Sequence, residues 1–320
     1  MSRWSDESDG ARERKQPGSL GYTAPVLGYS DRAFGLLQDL IEKRTGLSYR
    51  GGKVDLLADR LAEAVSAAGS SSFLEYYYLL RYDPDAERHW ARLLDRLSVP
   101  ETYFWRQAEQ LEAVANAVAP RHFATRGGPL RIWSAACCTG EEPLSIAMAL
   151  AEAGLLDRHP IEIVASDASE KVIERARQGL FGERSFRALP IHLRQRYFTS
   201  SGDRWQVAKH LLERVRWTTA NLIDAEQIGI LAAADVIFCR NVFIYFSDDA
   251  IRRVVHTFAE RMPATGLLFV GASESLTRLS SEFKLEEVAG AFVYTRASAA
   301  GSATELVPVR AKPVVPPAGG

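Results

Sequence analysis

The segment Ala136-Cys137-Cys138-Thr139-Gly140-Glu141-Glu142-Pro143 places one glycine and two carboxylates directly after an apolar run, Leu130–Ala135, that reads as a buried strand. In an open α/β sheet such a first strand–helix turn lies close to the cofactor. A dinucleotide site would carry GxGxxG here, with a helix N-terminus aimed at a pyrophosphate. Two acids instead repel phosphate and attract an ammonium or sulfonium group. Asp167 closes the next apolar run, Ile161–Ser166, where an acid can accept both hydroxyls of a ribose. Each feature has a plainer reading: acids complementing a helix dipole in one case, an N-cap in the other. Together they describe a nucleoside-bearing cation, and S-adenosylmethionine is such a molecule.

A sheet must hold those acids at adjacent strand ends. Apolar runs recur at Val215–Ala220, Asp235–Cys239 and Leu267–Ala272, and helical patterns cover Glu142–Ala153, Glu170–Gln178 and Asp249–Met262. Such alternation predicts parallel βαβ units. The runs Phe283–Val288 and Ala291–Arg296 around Gly290 predict a terminal hairpin. Residues 179–213 break the alternation with Tyr197-Phe198, the turn Ser200-Ser201-Gly202-Asp203 and Trp205-Gln206-Val207, which reads as a small antiparallel insertion. Ahead of the sheet, four apolar stripes predict helices: Phe34, Leu37, Leu40 and Ile41 (Asp31 as cap); Val54, Leu57, Leu61 and Val65; Phe73, Tyr76, Leu79 and Leu80; Trp90, Leu93, Leu94 and Leu97. The expected organisation is a flexible tail over 1–28, a helical domain over 29–98, a linker helix and active-site motif over 99–128, an α/β domain over 129–296 and a second tail over 297–320. The fold class is α/β, a doubly wound and mainly parallel sheet with an all-helical N-terminal domain and a β insertion.

Composition narrows the function. The chain has 320 residues, with 39 Lys and Arg against 40 Asp and Glu and a net charge of -1. So balanced a total argues against a bulk phosphate-binding surface and hence against nucleic acid. No apolar run reaches the ~20 residues that span a bilayer. The polar stretch Met1–Gln16 lacks the core of a signal peptide. Cys137, Cys138 and Cys239 show no metal-ligand spacing and read as buried, reduced thiols, which suits a cytoplasmic protein.

Five segments sharpen the reading. They are Thr102-Tyr103-Phe104-Trp105-Arg106, Trp133 through Ser145, Thr219-Ala220-Asn221-Leu222, Phe238 through Phe246, and Leu268 through Glu274. In this order and spacing, over residues 30–296, they resemble the CheR-type chemotaxis receptor methyltransferases, a family of protein-glutamate O-methyltransferases. The resemblance implies a Rossmann-like class I methyltransferase domain that binds S-adenosylmethionine. It implies that Glu142 faces the methionine part, Asp167 the ribose, and Asn221 with Leu222 the adenine. Arg240, Asn241 and Thr102 complete that pocket, and Arg106 and Tyr245 line the methyl-transfer point. Pro100 stands where the family often has Asn. Ala136 stands where many relatives have Gly, a replacement without strain only if the backbone keeps a negative φ.

The implied chemistry asks little of side chains. A glutamate carboxylate is already ionised at neutral pH, so alignment and desolvation carry the catalysis. Arg106 can hold a carboxylate by paired hydrogen bonds. The implied partner is a helical chemoreceptor or receptor-like signalling protein, docked on Lys53 and Arg60 of the second helix, although Glu63 and Ala64 interrupt that basic face. Strand addition to the insertion is the other docking route. A monomer is the default assembly. Two other readings remain open at this level: a methyltransferase for a small molecule or nucleic acid, and a non-catalytic cofactor-binding module.

Overall fold

The computed structural model describes residues 31–50, 53–98 and 100–297. The expected tails lie outside these residues, apart from Ala297. The chain divides into two compact units, the first formed by 31–37, 49–50 and 53–89 and the second by 38–48, 90–98 and 100–297. The division falls within α1 (Asp31–Thr45) and within α4 (Ala86–Leu97). Asp31 is the first residue of α1 rather than its cap.

In the first unit, α2 (Val54–Ala67) buries Leu57, Leu61 and Val65, and α3 (Phe73–Tyr82) buries Phe73, Tyr76 and Leu80. Those are the apolar stripes predicted from the helical period. The Ser72 hydroxyl caps α3 by accepting from Glu75 N, while the Glu75 carboxylate accepts from Ser71 N. This reciprocal arrangement sets where the helix starts.

The second unit holds the sheet. Along the chain come β1 (Leu130–Ala135), β2 (Ile161–Asp167), β3 (Leu180–Phe181), β4 (Phe198–Ser201), β5 (Arg204–Val207), β6 (Val215–Thr219), β7 (Val236–Cys239), β8 (Leu267–Val270), β9 (Phe283–Val288) and β10 (Ala291–Arg296). Seven of them form one sheet in the order β6-β2-β1-β7-β8-β10-β9. The first five are parallel and the last two antiparallel. Strand order reverses between β1 and β7, so the loops leaving their C-terminal ends diverge and open a crevice there. Both faces are covered. Ile132, Phe238 and Phe269 belong to one core, and Trp133, Ile237 and Leu268 to the other. This is the doubly wound architecture that the alternation predicts.

The helices after β1, β2 and β7 are α7 (Glu141–Glu152), α8 (Glu170–Gln178) and α12 (Asp248–Arg261), and the short α10 (Lys209–Leu212) and α11 (Ala225–Gly229) lie before and after β6. A further helix leads into β1 as α5 (Ala108–Ala113), a π-helical turn (Val114–Val118) and α6 (Ala119–Thr125). Pro120 accounts for the widened turn, because it lacks the N–H that a regular ladder needs. The insertion is a separate sheet in the order β3-β5-β4 with α9 (Ile191–Tyr197) against it. Its hairpin closes through Gly202 at φ 64, and the β9–β10 hairpin through Ala289 and Gly290 at φ 50 and 84. Two successive positive φ values match the right-handed twist of the paired strands.

Candidate active site

Gly140 ends the loop after β1 at φ 98, and a Cβ there would meet the Trp217 ring at 2.8 Å, so only glycine fits. The two acids that follow open α7, and both are buried. Glu141 accepts from the Thr139 and Ser185 hydroxyls at 2.7 and 2.8 Å. Burial pushes its pKa above the usual carboxylate range against the pull of those bonds. Glu142 accepts from Ser134 Oγ and from Arg240 Nε, both at 2.6 Å. The Glu142 and Arg240 side chains are only 10% and 2% exposed, which makes this a buried ion pair. The position expected to face a cofactor's cation therefore has a protein cation as its partner. A carboxylate out of water requires such compensation.

Arg240 sits at the end of β7 and reaches further. Its Nη1 donates to Arg106 O at 2.8 Å and to Gln110 Oε1 at 3.0 Å. Gln110 Nε2 in turn donates to Val270 O at the end of β8. Loops from β1, β7 and β8 and the Thr102–Arg106 segment thus meet in one network. That segment is also fastened by Phe104 N, which donates to Ser185 O at 2.9 Å, and at further points. Trp105 N donates to Ser145 Oγ, and Phe104 packs edge-on against Phe181 and Phe198 of the insertion, with centroids 4.7 and 4.9 Å apart.

The backbone is strained at the same place. Of six non-glycine residues with positive φ among the described residues, five are Trp105, Gln107, Ala136, Cys138 and Asn241, at 65, 55, 59, 51 and 59°. Such conformations cost about 1–3 kcal/mol each and persist where the surroundings impose them. Ala136 is thus a correction: its backbone does not keep a negative φ, because the loop must turn sharply from β1 toward α7.

Asp167 accepts from Cys138 N at 3.0 Å and from Ser169 N at 3.1 Å. It is not the cap of α8, since Ser169 Oγ caps that helix by accepting from Val172 N. Burial raises the Asp167 pKa although the backbone donors lower it. Ala220 N donates to Asp167 O, which sets Asn221 and Leu222 beside it. Leu222 is buried. The Asn221 amide is engaged at both ends, Nδ2 on Arg44 O and Oδ1 under Ile223 N, so its side chain shapes the loop. Asn241 N donates to the Glu274 carboxylate, which also accepts from Gly271 N and Ile244 N. Its Oδ1 is buried with no partner, which is an open acceptor at the strand ends.

Arg106 is half-buried, lies over the Tyr103 ring at 5.2 Å and has no carboxylate partner among the described residues. Tyr103 also receives Arg187 on its ring, at 3.8 Å. Tyr245 ends a 3-10 helical turn, Phe243–Tyr245, and its carbonyl accepts from Ser48 N. Thr102 is half-buried, and Pro100 is exposed. Cys137 and Cys239 are buried as expected, whereas Cys138 is only half-buried; desolvation beside Asp167 still pushes the Cys138 thiol up to about 12, so none of the three is primed as a nucleophile.

Sequence reasoning missed Gln110 and Ser185, which carry no local signal, and gave no role to Ser134 and Ser145, which lay within a motif. Glu274 lay within a motif but was given no role. The groups at these strand ends fit the expected cofactor: an unpartnered amide oxygen for an ammonium and a desolvated carboxylate for hydroxyl donors.

Comparison with known families agrees with this geometry. Residues 32–98 match the family model described as CheR methyltransferase, all-alpha domain, and residues 100–292 match CheR methyltransferase, SAM binding domain. Chemotaxis protein methyltransferase 2 of Vibrio cholerae is 36% identical over 260 residues, covering 80% of this chain and 90% of the relative. The chemotaxis protein methyltransferase of Klebsiella aerogenes is 32% identical, over 85% of this chain and 93% of the relative. That of Escherichia coli is 33% identical, over 81% and 90%. The chain belongs to the CheR methyltransferase family and is an S-adenosylmethionine-dependent methyltransferase.

Proposed function

We propose that this enzyme esterifies glutamate side chains of a chemoreceptor-type signalling protein. The observation that carries the reading is Arg106: a half-buried guanidinium on a strained turn, next to the strand ends, without a carboxylate of its own. Its planar fork suits an incoming carboxylate. The names of the relatives, chemotaxis protein methyltransferases, support a receptor of that class as the protein substrate.

When bound, S-adenosylmethionine supplies a methyl group on a sulfonium, so an ionised acceptor needs no base. Asp167 would hold the ribose hydroxyls, and Asn221 with Leu222 would wall the adenine. Asn241 Oδ1 would accept from the amine, with Thr102 and the neutralised Glu142–Arg240 pair closing that end. Arg106 would fix the acceptor carboxylate in line with the methyl group, and the Tyr245 hydroxyl would orient it. Holding one oxygen forward in a dry pocket is most of what this transfer requires.

For docking, the α2 face is favoured. Lys53 immediately precedes α2, and Arg60 lies seven residues on, two turns along. Ala64 is in the core, and Glu63 interrupts that face. The second surface is β4 of the insertion, whose Thr199–Ser201 stretch is exposed at a sheet edge and can accept an added strand. The enzyme is read as a cytoplasmic monomer. Among the described residues, no helix is long and apolar enough to cross a membrane.

The deciding experiment is tritiated-methyl transfer to receptor cytoplasmic domains. Base-labile label on the receptor, released as methanol, is the expected result. Label recovered in nucleic acid or a small molecule would replace the substrate class.

A further inference from the structure

We propose that Gln110 is a positioning residue for methyl transfer, acting through Arg240 on the turn that carries Arg106. The proposal rests on the reading of Arg106 given above.

Arg106 lies between Trp105 and Gln107, both at left-handed φ. A turn of that kind relaxes unless neighbouring groups hold it. The hydrogen bond from Arg240 Nη1 to Arg106 O ties the turn to the end of β7. The guanidinium making that bond is fixed at Nε by Glu142. Two bonds on one side of a planar group still leave it free to rock. The second proton of Nη1 goes to Gln110 Oε1, which removes that freedom. Gln110 is itself clamped, with Nε2 on Val270 O, and is 5% exposed. Its main chain grips the same turn, since Gln110 N donates to Gln107 O at 3.0 Å.

The residue type follows from its two partners. A cation demands an acceptor and a carbonyl demands a donor, and a primary amide of this length offers both. Glutamate would keep the acceptor and set an anion against the Val270 carbonyl. Methionine would fill the space and satisfy neither. Nothing places Gln110 at the acceptor or the methyl group. Its influence on the reaction runs through the backbone of residues 105–107.

The test is a double-mutant cycle between Gln110→Met and Arg106→Ala, read in the full-length enzyme. Gln110→Met should lower kcat by about tenfold to a hundredfold, the cost of a misplaced group, with cofactor Kd by calorimetry unchanged. Gln110→Glu should lose less. In the Arg106→Ala background either substitution should have little further effect, because the group being positioned is gone. In the protein without cofactor, hydrogen exchange at the Trp105 amide should quicken in Gln110→Met. Additive losses, or cofactor affinity falling in step with kcat, would overturn the positioning role while leaving Arg106 intact. Turnover by Arg106→Ala at the parent rate would remove Arg106 from the mechanism and this proposal with it.

Discussion

At the scale of single residues, the site is organised by what burial does to charge. Asp167 has its pKa raised by desolvation, so in the free protein it takes up protons above the ordinary aspartate value of about 3.9. Stability is therefore lost as pH climbs from that value through the raised one. Ribose hydroxyls donating to the ionised form would reverse the penalty. Cofactor affinity should thus be full above the raised pKa and fall away below it, and Asp167→Asn should flatten that profile in calorimetry across acidic pH. Asp167→Ala should weaken cofactor binding by about 2–3 kcal/mol through lost charge-assisted bonds. Arg106→Ala should lower methyl transfer far more than cofactor affinity. Arg106→Lys should rescue it poorly, because a point charge replaces the fork; comparing kcat with Kd reads both. Ala136→Gly should raise stability by about 0.5–1 kcal/mol, since glycine occupies φ 59 without the Cβ clash. A lower denaturation midpoint for that variant would contradict the strain assigned to this loop.

Between elements, the Glu142–Arg240 pair joins the α7 start to the β7 end, 98 positions apart in the chain. Removing one partner strands a buried charge, so Arg240→Met should cost about 3–5 kcal/mol. Arg252, whose partners Asp248 and Asp249 are exposed on α12, should lose under about 1 kcal/mol on replacement by Ala. Guanidinium midpoints for the two variants give the contrast. Equal losses would mean that the interior pair is no more than a surface contact. Adding Glu142→Leu to Arg240→Met should recover much of the stability, because two apolar groups need no partners, yet should not restore turnover. Phe104 makes the same point in apolar terms. It carries the Thr102–Arg106 motif into the Phe181, Phe186 and Phe198 cluster, which ties the motif to the insertion.

For the molecule as a whole, the proposed reading raises the question of how a partner's glutamate is presented. Lys53 is exposed and Arg60 half-buried, and cations at a surface act on encounter more than on chemistry. The double variant Lys53→Glu, Arg60→Glu should raise KM for the receptor and leave kcat and cofactor affinity alone. Added salt should reproduce part of that loss in the parent, as screening predicts. Normal methylation by the double variant at low salt would move docking to the β4 edge of the insertion.

The expected strands, the doubly wound class and the antiparallel insertion were all legible in the amino-acid order, since each rests on a period or a turn a few residues long. Asp167 and the acids after Gly140 could be singled out as candidates for the same reason, because their placement is local to one strand end. The division of labour between those acids was not legible. Glu142 meets Arg240, Gln110 spans Arg240 and Val270, and Glu274 gathers three amides from two loops. Ala136 sits at a positive φ that its residue type disfavours. Each depends on groups that close packing brings together from distant positions, where burial obliges every polar atom to find a partner and no sequence period records which one it finds.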